Sequence, residues 1–434
     1  MMEAAAAVCQ AGTVRRMGDV LDLADKLWRG EATTDAHHPV TQHGGFEDLG
    51  DGTAFVQSFA NVSAFDTADG LLLMDTGSQF FAQAVHDTLR SWTASALDTA
   101  VYSHGHIDHV FGVANFEAEA AEQGWRPPKV IAHEHLPRRF DRYVLTNGYN
   151  AIINQRQFKA PNLRWPTEYR YPDITYRDHH DVEVGGERFE LRHAKGETDD
   201  ATWLWSPTRK VLCPGDLFIW SAPNAGNPQK VQRYPREWAL ALREMLTLDA
   251  EMLLPGHGLP IMGADRIRQA LTDTITYLES LVEQALALLN SGARLDELVH
   301  SVKPPAALAD RPYLQPVYDE PEFIVRNIWR LYGGWYDGNP AHLKPAPEAV
   351  LAAEIAELAG GAARLAARAL ELADADDLRL AGHLAELAAL AAPGDKGIQR
   401  VRAEVFGRRA AIERSTMARG IFSWAEHESR QRLT

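Results

Sequence analysis

The segment SHGHIDH at 103–109 places three imidazoles and a carboxylate within six positions, His104 to His109. Imidazole nitrogen and carboxylate oxygen together suit zinc. His104 and His106 are two residues apart, so an extended or looped backbone points both to one side. Asp108 and His109, one step further round the turn, can face a second ion. One loop therefore prepares two neighbouring metal sites. Three more segments each offer a ligand where an apolar run ends: Glu197 in HAKGETDD, Asp216 in CPGDLFI and His257 in LLPGHG. Asp75, closing the run LLLMDTG, is a suitable acceptor for the N–H of a metal-bound histidine. Several strand ends that each supply one ligand read as a composite site. Paired ions about 3.5–4 Å apart can share a water whose pKa falls to about 7, which makes it the candidate nucleophile.

The elements that must carry these residues alternate in character. Between about 53 and 262, short β-branched or aromatic runs (TAFVQSFANVSAF, GLLLMDTG, DTAVYSH) alternate with helical patterns such as FFAQAVHDTLRSWTA, which predicts a mixed α/β domain. From about 265 the strand signals stop, and amphipathic stretches such as DRIRQALTDTITYLESLVEQALALLN are punctuated at Gly360, Gly361 and PGDKG (393–397). This half is expected to be a helical bundle rather than a repeat array with a fixed period. The division expected is a helical arm and polar linker over 1–40, a catalytic domain over 41–264 and a helical domain over 265–434. Trp329, Tyr332, Trp335 and Tyr336 recur at spacings of three and four, which predicts one helical stripe used in core or interface packing.

Composition narrows the class of function. The 434 residues carry a formal net charge of -15, which argues against a nucleic-acid or anionic-lipid surface, since both need clustered cations. No apolar run is long enough to span a bilayer. The Ala-rich start precedes its Arg pair, the reverse of a secretory signal, so the cytoplasm is the compartment expected. The only cysteines are Cys9 and Cys213, too few for a disulfide framework or a cysteine zinc site. Cys213 lies in an apolar run and reads as an inert buried thiol, and no Ser-His-Asp arrangement competes with the metal ligands.

The order of an Asp-ending strand, H-x-H-x-D-H, a third ligand, a bridging Asp and a late G-H resembles the metallo-β-lactamase superfamily. That resemblance implies a four-layer αβ/βα sandwich with two zinc ions at one edge. It assigns His104, His106 and Glu197 to one ion and Asp108, His109 and His257 to the other, with Asp216 between them; Asp108 and Asp216 are the candidate catalytic carboxylates. His133 and His135 in VIAHEHL fall outside that pattern and read as polar neighbours. K-G-E-T stands where most members have P-G-H-T, and a carboxylate there resembles the alkylsulfatase branch. ALADRPYLQPVY (307–318), YGGWYDGNPAHLKP (332–345) and the tail from AELAGGAARL are similar to that branch's dimerisation domain, which implies a homodimer. The branch places Asn and Arg in the segment after the bridging residue, which here offers Asn224, Asn227 and Arg233 to the oxygens of a sulfate group. The substrate implied is a small anionic ester, an alkyl sulfate hydrolysed to alcohol and sulfate. A thioester or lactone on the same scaffold is the alternative. Longer members add a sterol-carrier-like domain that is not in this sequence, so short or medium alkyl chains are expected.

Overall fold

The computed structural model describes residues 18–41 and 44–434. Cys9 and the Arg pair at 15–16 lie outside the described residues; the helix Asp19–Trp28 lies within them.

Two sheets are stacked face to face. The first has seven strands in sequential order: β1 (Gly45–Gly50), β2 (Thr53–Gln57), β3 (Val62–Thr67), β4 (Gly70–Met74), β5 (Leu97–Val101), β6 (Lys129–His133) and β7 (Ile174–Tyr176). Pairing is antiparallel up to β4 and parallel from β4 to β7, because helices connect β4 to β5, β5 to β6 and β6 to β7. The second sheet has six strands: β8 (His179–Val184), β9 (Glu187–Ala194), β10 (Ala201–Ser206), β11 (Val211–Ile219), β12 (Met252–His257) and β13 (Ile261–Met262). They lie in the order β13-β12-β11-β10-β9-β8.

Strand periodicity explains the layering. In the first sheet Ala54, Val56, Ala64, Leu71 and Leu73 face outward onto Val85 and Leu89 of the helix Ala82–Trp92 and Val113 and Phe116 of the helix Val113–Gln123. The alternate residues Phe55, Phe65, Leu72 and Met74 face Phe189, Leu191 and Leu204 of the second sheet. Phe65 and Phe189 meet edge to face across that interface, with ring centroids 5.1 Å apart. Beyond the second sheet lie Trp238 and Leu242 of the helix Pro235–Met245. The result is an αβ/βα sandwich followed by helices.

The long helix Ala264–Asn290 and the helix Pro321–Gly333 bury Leu271, Leu278, Ile324 and Ile328 in the same cluster as the second sheet. Helices Glu348–Leu358, Ala362–Asp374, Leu378–Ala391 and Lys396–Ile412 form separate small clusters, broken at Gly360–Gly361 and around Pro393. The last helix, Thr416–Gln431, returns to the catalytic half and packs on the helix Asn147–Phe158, so closely that a Cβ at Gly420 would stand 2.2 Å from the Gln157 carbonyl oxygen. Among the described residues no helix is long and apolar enough to cross a membrane.

The aromatic stripe needs correction. The helix carrying Trp329 and Tyr332 ends at Gly333, and Gly334 follows with a φ of 82°, so Trp335 and Tyr336 leave the helical face. Trp329 is buried and donates its indole N–H to the Tyr336 carbonyl, whereas Trp335 is 71% exposed. Two adjacent glycines end the helix, and spacing alone does not register that break.

Candidate metal centre and substrate pocket

Asp75, the 104–109 loop, Glu197, Asp216 and His257 all gather at one edge of the sandwich, the first two from the first sheet and the others from the second. Asp75 follows β4, the histidine loop follows β5, Glu197 follows β9, and His257 ends β12. Asp216 departs from the expected strand-end position, because β11 runs through it. Its pairing with β12 is irregular on both sides of Gly215, whose φ is 55°, and this bulge re-aims the Asp216 side chain. Gly256 makes room for the carboxylate: a Cβ there would lie 2.2 Å from Asp216 Oδ1.

Two clusters of metal-ligating side chains result. His104, His106, Glu197 and Asp216 form one, and Asp108, His109 and His257 the other. Glu197 Oε2 lies 3.3 Å from His104 Nε2 and 3.2 Å from His106 Nδ1. His257 Nε2 is 3.3 Å from both Asp108 Oδ2 and Asp216 Oδ2, and His109 Nε2 is 3.6 Å from Asp108 Oδ2 and from Asp216 Oδ1. Ligands about 2.1 Å from one tetrahedral ion are separated from each other by roughly 3.4 Å, the spacing found here. Asp216 faces both groups, 3.9 Å from His104 Nε2 on one side. Buried His109 Nε2, Glu197 Oε2 and Asp216 Oδ1 have no hydrogen-bond partner, a costly arrangement unless cations satisfy them. The donor set fits a pair of divalent ions.

The remaining ring nitrogens are fixed from behind. His109 Nδ1 lies 2.7 Å from Asp75 Oδ2, whose other oxygen accepts the Ser103 N–H at 2.7 Å. His257 Nδ1 lies 2.6 Å from the Phe59 carbonyl, and His104 Nδ1 lies 3.0 Å from Ser103 Oγ. Such contacts set which nitrogen is free to ligate. Burial opposes charge on His109, but Asp75, Asp216 and Asp108 outweigh it and raise its pKa to about 9. His257 is raised in the same way by Asp216 and Asp108, while burial pushes His106 down to about 4. The carboxylates thus draw positive charge to this point, which protons or metal ions can supply.

Above the centre opens a cavity of about 320 Å³. His106, Asp108, Glu197, Asp216 and His257 form its floor, and Phe59, Phe81, Phe158, Leu163 and Trp165 contribute its apolar wall. Asn224, Asn227 and Arg233 line it and are buried. Arg233 is only 1% exposed and is no surface ion pair; its Nη2 lies 3.5 Å from Glu197 Oε1, and its Nε and Nη1 have no partner. Asn224 donates to Glu197 Oε1, while Asn227 Nδ2 is also unpartnered. His133 stands apart, stacked on His193 at 3.6 Å with His135 beside it.

Three features escaped the sequence reading. Lys230 lines the cavity over the Trp165 ring, 3.4 Å from Asn154 Oδ1, and burial together with Arg233 pushes its pKa down to about 8. It lies in the segment that yielded Asn224, Asn227 and Arg233, but a lone lysine in a polar loop gives no signal of burial. Asp200 accepts the Gly105 N–H at 3.0 Å and pairs with buried Arg139 at 2.8 Å, so the metal-binding loop is tied to a buried ion pair. The second Asp of GETDD was its only sequence signal. Tyr318 and Thr416 line the cavity from the helical half.

The metallo-β-lactamase superfamily model matches residues 55–257, and the alkyl sulfatase dimerisation model matches residues 294–432. The sandwich is therefore a metallo-β-lactamase superfamily domain. With both parts present in this order, the chain resembles the alkylsulfatase branch of that superfamily. It is 26% identical over 369 residues to a linear primary-alkylsulfatase of Pseudomonas sp., covering 79% of this chain and 69% of the relative. It is 25% identical over 398 residues to an (R)-specific secondary-alkylsulfatase of Pseudomonas sp., covering 86% of this chain and 60% of the relative. The solved structure of a stereoselective inverting sec-alkylsulfatase from Pseudomonas sp. superposes with a TM-score of 0.81 at 23% identity, over 90% of this chain and 66% of that one. The chain thus spans between 60% and 69% of the length of these curated relatives.

Proposed function

We propose that this protein is a dinuclear zinc hydrolase that converts alkyl sulfate esters to alcohol and inorganic sulfate, and that it works as a homodimer. The observation that carries the substrate class is Arg233, a buried guanidinium with two unpartnered nitrogens at the cavity that covers the metal-ligating clusters. A sulfate monoester brings one negative charge and three terminal oxygens, enough acceptors for Arg233 and Asn227 together. A lactone or thioester offers one carbonyl oxygen and leaves buried donors unsatisfied, at a cost of about 1–3 kcal/mol for each.

His104, His106 and Glu197 would hold one ion, and Asp108, His109 and His257 the other, with Asp216 between them. Bound there, the ions supply an activated water at neutral pH and neutralise charge on the transferred group. Asn224 fixes the Glu197 carboxylate, and Asp75 holds His109 in the tautomer that leaves Nε2 free. Asp108 and Asp216 present acceptor oxygens at the cavity floor, where they orient the attacking water. The aromatic wall takes the alkyl group and excludes bulk water. A cavity of about 320 Å³ favours short or medium chains. The test is product release by zinc-loaded protein from a panel of alkyl sulfates, thioesters and lactones. Release of inorganic sulfate is expected, with Arg233→Ala lowering it about ten- to a thousandfold at unchanged zinc content. Cleavage of a lactone or thioester with no sulfate released from any ester would overturn the assignment.

A further inference from the structure

The segment 221–234 carries Asn224, Asn227, Lys230 and Arg233 into the cavity, yet it is mostly irregular loop without a sheet ladder to fix its backbone. Its backbone groups still need partners, because the loop is largely buried. The Arg233 N–H donates to Asn327 Oδ1 at 3.3 Å, and Asn327 Nδ2 donates to the Arg233 carbonyl at 3.0 Å. One side-chain amide thus supplies both halves of a β-ladder rung to the residue that faces the substrate. Asn327 Oδ1 also accepts from Gln232 Nε2 at 2.9 Å and from Arg330 Nη2 at 3.1 Å. Asn327 is buried in the middle of the helix Pro321–Gly333, within the dimerisation match. The residues just before and inside that helix hold the other end of the loop: Asp319 Oδ2 accepts the Gly226 N–H at 2.6 Å, and a Cβ on Gly226 would stand 2.1 Å from the Ile324 nitrogen.

We propose that Asn327 is a positioning residue that aims Arg233 at the substrate's anionic group, so that the part of the chain matching a dimerisation domain also builds the anion site. This rests on the reading of Arg233 as the sulfate-binding cation. No contact between Asn327 and substrate is involved; the effect passes through the Arg233 backbone. A loss of both bonds leaves the guanidinium on a loop free to shift, and a misplaced charge contact loses much of its binding.

The experiment uses the full-length, zinc-loaded protein and inorganic sulfate as the probe, followed by calorimetry and by competition with alkyl sulfate turnover. Asn327→Leu, close in size but unable to make either bond, is expected to weaken sulfate binding about ten- to a hundredfold with zinc content unchanged. In an Arg233→Ala background the same substitution is expected to add nothing further, because the two act as one unit. Asn327→Asp keeps the acceptor, removes the donor to the Arg233 carbonyl and adds a charge beside Arg330; carried through the same cycle, it provides the answer if Asn327→Leu does not fold. Sulfate binding that depends on Arg233 but is lost additively with Asn327, or is untouched by folded Asn327 variants, overturns this inference alone. Wild-type protein that binds no sulfate overturns the reading of Arg233, and this inference with it.

Discussion

Two helical regions follow the sheets, and they differ in what they pack against. Over 264–333, Ile267, Leu271, Leu278, Leu281, Ile324 and Ile328 are buried in one cluster with Phe189 and Trp203 of the second sheet. Over 348–412 the clusters are small and Ala-rich, built from residues such as Ala369, Ala381, Ala385 and Val405, or Ala356, Leu365 and Ala388. Alanine buries little apolar area, and the outer region leaves Leu351 at 51% and Leu358 at 81% exposure, seven residues apart and therefore near one face of the same helix. The near region continues the core of the sandwich and clamps the loop that carries Arg233. The outer region has the character of a surface that seeks a partner. Helical content shared by both says nothing about this division of labour.

The comparison can be broken at its largest contrast. Asp216→Asn, at the metal-ligating floor, is expected to lower metal content by elemental analysis and to reduce turnover on the order of a hundredfold or more. The paired substitution Leu351→Asp and Leu358→Asp is expected to leave metal content intact. Its effect should appear in sedimentation, as a dimer converted to monomer at micromolar concentration, with turnover per site within about twofold of wild type. If that pair abolishes catalysis in a folded chain, the separation between near and outer regions is wrong.

Smaller effects sharpen the boundary. Gly226→Ala drives a methyl group into the backbone of the near-region helix and is expected to cost about 1–3 kcal/mol of stability, read as a lowered Tm and a raised KM. Gly394→Ala, in the outer region where a Cβ meets nothing within 4 Å, serves as the control with little change. The finest test concerns charge on the clamped loop. Burial and Arg233 hold the Lys230 ammonium at a pKa of about 8, so the cavity loses a positive charge as pH rises through that value rather than near the ordinary lysine range. KM for sulfate esters is expected to climb above about pH 8, and Lys230→Met, already uncharged, is expected to lack that alkaline limb.

The sequence by itself determined which side chains make up the metal-ligating clusters, because ligand type and short-range spacing are local. His104, His106, Asp108 and His109 sit on one loop, Glu197 and His257 each follow a glycine at or near a strand end, and Asp216 follows one within β11, so their approach depends on only a few connections. The layered α/β half and the helical half were legible for the same reason, since period-2 and helical patterns are local. Only the tertiary structure decided which helices belong to the sandwich core. Nothing local distinguishes Leu278, buried against a sheet, from Leu358, left in solvent. It also decided that Arg233 is enclosed rather than paired at the surface, that Asp200 and Arg139 brace the metal loop, and that Tyr318 and Thr416 reach the cavity. Burial depends on what arrives from distant parts of the chain: Arg233 meets Asn327 across 94 residues, and Gly105 meets Asp200 across 95. Those contacts form only when the layers close, which is why residue types announced the reaction centre and packing alone fixed what surrounds it.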